Sequence, residues 1–202
     1  MRNTQLLIFM GIILIFLLSG CGWLYASPAA ESEYDISEAD MQVEDFEYTN
    51  QHGESFGLSE LEGDYWLASM IFTRCPSVCP LMTPNKLNLQ GELEEEGVPV
   101  QIVSFTVDPE FDTPERLLNY GENYNVDFSN WNFLTGYSDE EIEEFAQSSF
   151  RSVVQKVPEE EDIVHATSFF LVDGEGQVIR KYDGLDNDTS PIVEDLKYLT
   201  GS

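Results

Sequence analysis

Cationic residues are scarce in this chain: nine Lys and Arg stand against 38 Asp and Glu, a formal charge of −29 over 202 residues. That balance excludes nucleic acid and anionic headgroups as partners, since both would be repelled. Histidine is rarer still, with two, and the three cysteines cannot build a framework of several disulfides. No internal repeat is present, and no phosphate cradle: Asp173-Gly174-Glu175-Gly176 lacks the helix a cradle needs and reads as a hairpin turn. A membrane-spanning run is missing as well. The apolar stretch Leu6 to Leu18 has 13 residues, where a bilayer asks for about 20. The acids are dispersed, in Glu92 to Glu96, Glu140 to Glu144 and Glu159 to Asp162. A surface kept hydrated in salt fits that dispersion better than a single acidic docking tail.

What is present begins with Arg2, the short apolar stretch and Leu18-Ser19-Gly20-Cys21. Together they read as a lipoprotein signal, residues 1–20, with Cys21 as the lipidated first residue of the mature chain. Two or more acyl chains on one cysteine hold a protein stably, so the expected location is the extracytoplasmic face of the cell membrane. Residues 21–42 are small, polar and acidic and read as a flexible tether. Residues 43–202 are long enough for one domain with a real core.

Within that domain, Phe46 to Thr49 and Ser55 to Leu58 flank Asn50-Gln51-His52-Gly53 as a hairpin. Tyr65 to Phe72 is near-continuously apolar, the pattern of a strand covered on both faces, and Val98 to Val107 repeats it. Between them Met82 to Glu96 suits a helix, with Pro84 in its first turn and Gly97 closing it. Helices are expected from Thr113 to Tyr124 and from Ser138 to Phe150, each with a hydroxyl cap ahead of acids. A short strand at Asn132 to Thr135, hairpin strands at Ser168 to Val172 and Gln177 to Arg180, and a helix from Ser190 to Leu199 complete an α/β arrangement around a central mixed sheet.

The chemistry concentrates in Cys75-Pro76-Ser77-Val78-Cys79-Pro80, where a buried strand gives way to a helix. Thiolates are favoured beside a helix N-terminus. If the turn is helical, four residues bring the two Cα atoms to roughly 6 Å, within disulfide range and equally able to grip one metal ion. Two thiolates rarely make a selective site, and His165, at the entrance to an apolar strand, is the better third ligand; His52 reads as an exposed turn residue. A soft set of two cysteines and one histidine suits Cu(I) and accepts Cu(II), while structural zinc sites close with four ligands. The bland alternative is a stabilising disulfide with an incidental histidine. Met82 is a candidate weak thioether ligand that is more simply core filling. Asp183, Asp186 and Asp188 resemble a calcium loop but lack its spacing and terminal Glu.

These residues carry a resemblance. Phe72-Thr73-Arg74-Cys75-Pro76-Ser77-Val78-Cys79-Pro80, the segment Val107-Asp108-Pro109 within Ser104 to Glu115, and His165 before Phe169-Phe170-Leu171-Val172-Asp173 are similar to the Sco (SenC) family of copper-binding assembly factors for cytochrome c oxidase. The resemblance covers about Val43 to Leu199. It implies a thioredoxin-like fold with an N-terminal β-hairpin and copper held by Cys75, Cys79 and His165. It also implies delivery to the binuclear copper centre of oxidase subunit II, with other copper carriers or thiol reductants as further partners. Some members of the family act instead as thiol–disulfide oxidoreductases on that centre, which would make Cys75 and Cys79 a catalytic redox pair. Asp108 is expected to orient a ligand or guide protons, with a plain turn aspartate as the alternative.

Overall fold

A computed structural model describes residues 32–75, 77–157 and 162–202. The signal at 1–20, Cys21 and the rest of the expected tether up to residue 31 lie outside the described residues, as does Pro76. The described compact unit is Glu33–Ser202. Its strands are β1 (Glu47–Asn50), β2 (Ser55–Gly57), β3 (Trp66–Ile71), β4 (Gln101–Thr106), β5 (Trp131–Thr135), β6 (Gln155–Val157), β7 (Asp162–Val164), β8 (Ser168–Val172) and β9 (Val178–Asp183). Its helices are α1 (Cys79–Glu96), α2 (Pro114–Tyr124), α3 (Asp139–Phe150) and α4 (Ser190–Thr200).

Seven strands form one mixed sheet in the order β2-β1-β5-β4-β3-β8-β9. At its centre β3 runs parallel to β4, from Trp66↔Gln101 to Ile71↔Thr106, and antiparallel to β8. Every residue of β3 is buried, as is all of β4 after Gln101. Burial on both faces is why these strands read as unbroken apolar runs rather than alternating ones. The crossover from β3 to β4 is α1, and this places the carboxyl end of β3, and the cysteine loop that follows it, beside the N-terminus of α1.

Two boundaries differ from expectation. Helix α1 begins at Cys79, so Pro80 occupies its first turn and Pro84 lies inside the helix rather than at its start. A proline near a helix start forfeits only N–H groups that have no intrahelical partner, so the cysteine motif itself enters the helix. The C-terminus falls where expected, at Gly97, whose φ of 69° is the left-handed conformation glycine adopts readily. The folded part also starts before Val43. Lys181 N–H donates to Tyr34 O at 3.1 Å, Ile36 N–H to Ile179 O at 3.0 Å, Val178 N–H to Met41 O at 2.9 Å and Val43 N–H to Gly176 O at 2.9 Å. The segment Tyr34 to Val43 is therefore laid along β9, with Met41 and Val43 buried, and is not a free tether.

The remaining helices follow their caps. Thr113 Oγ1 accepts from Arg116 N–H at 3.4 Å; Ser138 and Glu141 exchange side-chain-to-backbone bonds at 3.2 and 2.7 Å. Strands β6 and β7, absent from the sequence reading, pair as a separate antiparallel hairpin, Gln155↔Val164 to Val157↔Asp162, that ends one residue before His165.

Candidate metal centre

The site is assembled from the loop after β3, the first turn of α1 and the link between β7 and β8. Asp112 anchors the first of these. Its carboxylate accepts Thr73 N–H at 3.0 Å, the Thr73 hydroxyl, and Thr106 Oγ1 at 2.5 Å, tying the chain just before Cys75 to the end of β4. Burial pushes the Asp112 carboxyl up, against those hydrogen bonds. Cys75 N–H turns back to Phe72 O at 3.3 Å, and the chain then enters the helix at Cys79.

Cys75 and Cys79 are both free thiols and both buried. The N–H of Cys79 approaches Cys75 Sγ at 3.5 Å and the Ser77 hydroxyl lies 3.7 Å from it. The two sulfurs are unequal. The hydrogen-bonded Cys79 side chain draws the Cys75 thiol far below the ordinary thiol range, with the Cys79 and Ser77 N–H groups acting the same way against desolvation. Cys79 is pushed up, by that same neighbour and by burial.

His165 reaches the pair from far downstream. One ligand atom each from Cys75, Cys79 and His165 all lie within 4.8 Å of one another, the cluster of metal-binding type found among the described residues. The ring is braced edge-on by Phe72, with centroids 5.7 Å apart at 86°. Its Nδ1 lies 2.9 Å from Ala166 O. A carbonyl oxygen only accepts, so Nδ1 carries the proton and Nε2 keeps its lone pair. That Nε2 is buried and has no hydrogen-bond partner. A buried nitrogen left bare beside two sulfurs, one of them depleted of its proton, is a donor set waiting for a soft cation.

The other candidates sort clearly. Asp108 is 1% exposed and its Oδ2 takes Arg74 Nε at 2.6 Å, with Lys156 Nζ 3.8 Å from Oδ1. It makes no hydrogen bond to Cys75, Cys79 or His165 among the described residues, so any influence on the sulfurs passes through Arg74, the residue before Cys75. Met82 is fully buried in a cluster with Leu67, Leu89 and Phe169, the packing role. Asp183, Asp186 and Asp188 each spend a carboxylate oxygen on the backbone N–H two residues on, at 2.9, 3.0 and 3.1 Å, as a solvated loop does. His52 is exposed and meets Phe128 edge-on. Asp112, Arg74 and Lys156 were not singled out from sequence. Thr73-Arg74 directly ahead of Cys75, and the hydroxyls of Thr73 and Thr106 at two strand ends, were the available signal for Asp112 and Arg74; Lys156 had none.

Residues 35–201 match the profile of the SCO1/SenC family. The fold is similar to that of a SCO1/SenC family lipoprotein from Bacillus anthracis, with a TM-score of 0.79 and 42% identity over 84% of this chain and 99% of that one. It is similar to BsSco, a member of the Sco family of cytochrome c oxidase assembly proteins in which a disulfide switch was identified, with a TM-score of 0.74 and 44% identity over 80% and 95% of the two chains. It is also similar to Arabidopsis thaliana ScoI with copper bound, at a TM-score of 0.66 and 26% identity over 77% and 98%.

Proposed function

The chain belongs to the SCO1/SenC family, and from that membership we propose that it carries copper on Cys75, Cys79 and His165 and delivers it to the binuclear copper centre of cytochrome c oxidase subunit II. The observation that carries this reading is the unpartnered Nε2 of His165 held in one cluster with the two free thiols. Copper is the cargo. A three-donor shell leaves room for a receiving protein to add a ligand before the donor lets go. Reduction of the pair is required first, since a disulfide offers no thiolate.

Docking is supported by the surface around the site. The exposed large apolar side chains among the described residues are Leu81, Val153, Val164, Leu185 and Tyr198. Leu81 lies on the turn of α1 that starts at Cys79, Val164 precedes His165, and Val153 leads into β6, whose Gln155 pairs with Val164. Leu185 follows Gly184, whose N–H donates to Thr167 O at 2.8 Å. Exposed apolar side chains thus sit on the segments that carry the site in a strongly acidic molecule, which suits a dry contact that salt does not weaken. Anchoring through Cys21 at the extracytoplasmic face, with residues 1–20 removed, is part of the same proposal; a lipoprotein relative is consistent with it. No helix among the described residues is long and apolar enough to cross a membrane.

The inequality of the two sulfurs favours a second reading, reduction of the oxidase cysteines. There the Cys75 thiolate attacks a partner disulfide, Cys79 resolves the mixed disulfide, two electrons pass to the partner, and Cys75–Cys79 is left oxidised. One variant separates the two. His165→Ala is expected to weaken copper binding by at least 100-fold (about the cost of losing a ligand's support) while leaving Cys75–Cys79 thiol–disulfide exchange nearly intact. Unaltered tight binding in an anaerobic copper titration of that variant would remove the carrier reading. Oxidase assembly lost without the protein and restored by added copper would speak for delivery over reduction.

A further inference from the structure

His165 is carried by a hairpin that stands apart from the main sheet. Strands β6 and β7 pair with each other and, among the described residues, with no strand of the seven-stranded sheet; β7 ends at Val164, directly before the histidine. The contacts of the ring itself are slight. Its Nδ1 bonds the carbonyl of the next residue, and Phe72 meets it edge-on. Where the imidazole stands against the two sulfurs therefore depends on what holds the hairpin. Val154, just ahead of β6, and Ile163 hold it by packing into the core. Lys156 holds it by charge.

Lys156 lies opposite Ile163 across the hairpin, so both side chains share the face turned toward the domain. Its Nζ meets Asp139, the first residue of α3, and lies 3.8 Å from Asp108 Oδ1 and 4.0 Å from Glu110 Oε2. Asp139 Oδ1 is buried without a hydrogen-bond partner, which leaves Lys156 and the N-terminus of α3 to answer that carboxylate. Asp108, 1% exposed, turns its other oxygen to Arg74 Nε at 2.6 Å, and Arg74 precedes Cys75. One buried carboxylate thus faces both ligand-bearing segments, the cysteine loop through Arg74 and the histidine hairpin through Lys156.

We propose that Lys156 is a positioning residue for His165: by docking the β6–β7 hairpin on Asp108 and Asp139, it sets where the imidazole arrives beside Cys75 and Cys79. The inference rests on the copper reading above and deepens it, naming what keeps the third ligand in place. The amine that makes these ion pairs is 33% exposed, so the hold on the histidine is partly open to water, whereas Cys79 is fixed in a helix packed on the sheet. A nitrogen held in this way can leave the metal while the central strands stay intact and the two sulfurs keep their grip.

The test is a double-mutant cycle on the reduced full chain, read by anaerobic Cu(I) titration. Lys156→Met is expected to weaken binding about tenfold, the scale on which a ligand's supporting partner acts. In a His165→Ala background the same change should alter binding by less than about twofold, because the residue through which it acts is gone. A merely structural lysine would cost the same in both backgrounds, and an equal loss, or no loss in either, overturns the proposal. Lys156→Arg, which keeps the charge, should restore most of the affinity. If Lys156→Met does not fold, Asp139→Asn removes the other end of the tie and should show the same dependence on His165. A second readout needs no copper: by nuclear magnetic relaxation of the copper-free protein, the His165 ring should be more mobile in Lys156→Met than in the natural chain, and equal mobility overturns the inference. Failure of the natural protein to bind Cu(I) would end the carrier reading and leave the ring measurement to decide the role of Lys156. A rigid ring and an uncoupled cycle would end that role and leave copper carriage standing.

Discussion

Two cations are buried among the described residues of this acidic molecule, and they are treated in opposite ways. Arg180, 5% exposed, meets Asp35 at 2.7 Å and Asp195 at 3.5 Å, and Asp195 also accepts the Tyr182 hydroxyl at 2.7 Å. Lys86 receives two serine hydroxyls and no carboxylate. The guanidinium joins elements, β9 to α4 and to the leading segment, and its charge is cancelled whatever the state of the site. The amine sits between the sheet and the helix that carries Cys79, with hydroxyls and rings rather than carboxylates around it among the described residues. A cation tied to carboxylates joins elements of the fold, while one left to a pair of hydroxyls carries most of the cost of its burial.

The comparison breaks most severely if Arg180 is made to resemble Lys86. Asp195→Ala strips the buried partner of Arg180 and the acceptor of Tyr182, and should cost about 3–5 kcal/mol in urea unfolding; a loss below 1 kcal/mol would make that pair dispensable. The converse change, Lys86→Met, should stabilise by about 1–4 kcal/mol at pH 7, as replacing buried charge with apolar bulk often does. Its pH dependence has a definite sign. With Lys86 near 7 in the fold and at 10.5 when unfolded, the unfolded chain binds a proton that the fold does not between those values. The natural protein therefore gains stability as pH rises through that window, and the advantage of Lys86→Met, greatest at pH 7 and below, should shrink toward pH 10.5. A constant advantage would mean that Lys86 holds its proton throughout. The smallest effect is at the rim of the arginine network. Burial alone would raise the Asp35 carboxyl, but the Ser37 hydroxyl and amide and Arg180 outweigh it and hold it low. Its contribution is present above its unfolded value of 3.8 and is lost as pH falls through the lower folded value. Asp35→Asn should cost under about 1 kcal/mol at pH 7 and nothing in strong acid.

Neither buried cation was singled out from the sequence, although Lys86 left a signal. It occupies the helical face of Met82, Leu89 and Leu93, and a positive charge at a core position is the signal that could have found it. The central strands were plain because burial on both faces forces continuous apolar runs, and His165 was plain because so few histidines compete with it. The start of α1 was placed three residues late because Pro84 was read as its first-turn proline, whereas Pro80 takes that place and Pro84 lies inside the helix. Residues 34–42 were read as tether from their acids, yet Tyr34 and Ile36, and Met41 and the Val43 that follows, alternate as an edge segment does. The β6–β7 hairpin has strands of three residues each, too short for a period to register. Pairings such as Asp112 with Thr73 and Thr106 join distant segments and leave no trace in local pattern.

The leading segment laid along β9 has an outcome of its own. A sheet normally has two raw margins where a stranger's backbone can dock. Here one is sealed by residues 34–43, and the other, β2, is only three residues long. Copies crowded side by side find little open ladder on this seven-stranded sheet on which to zipper together, so its margins give neighbours small purchase on one another.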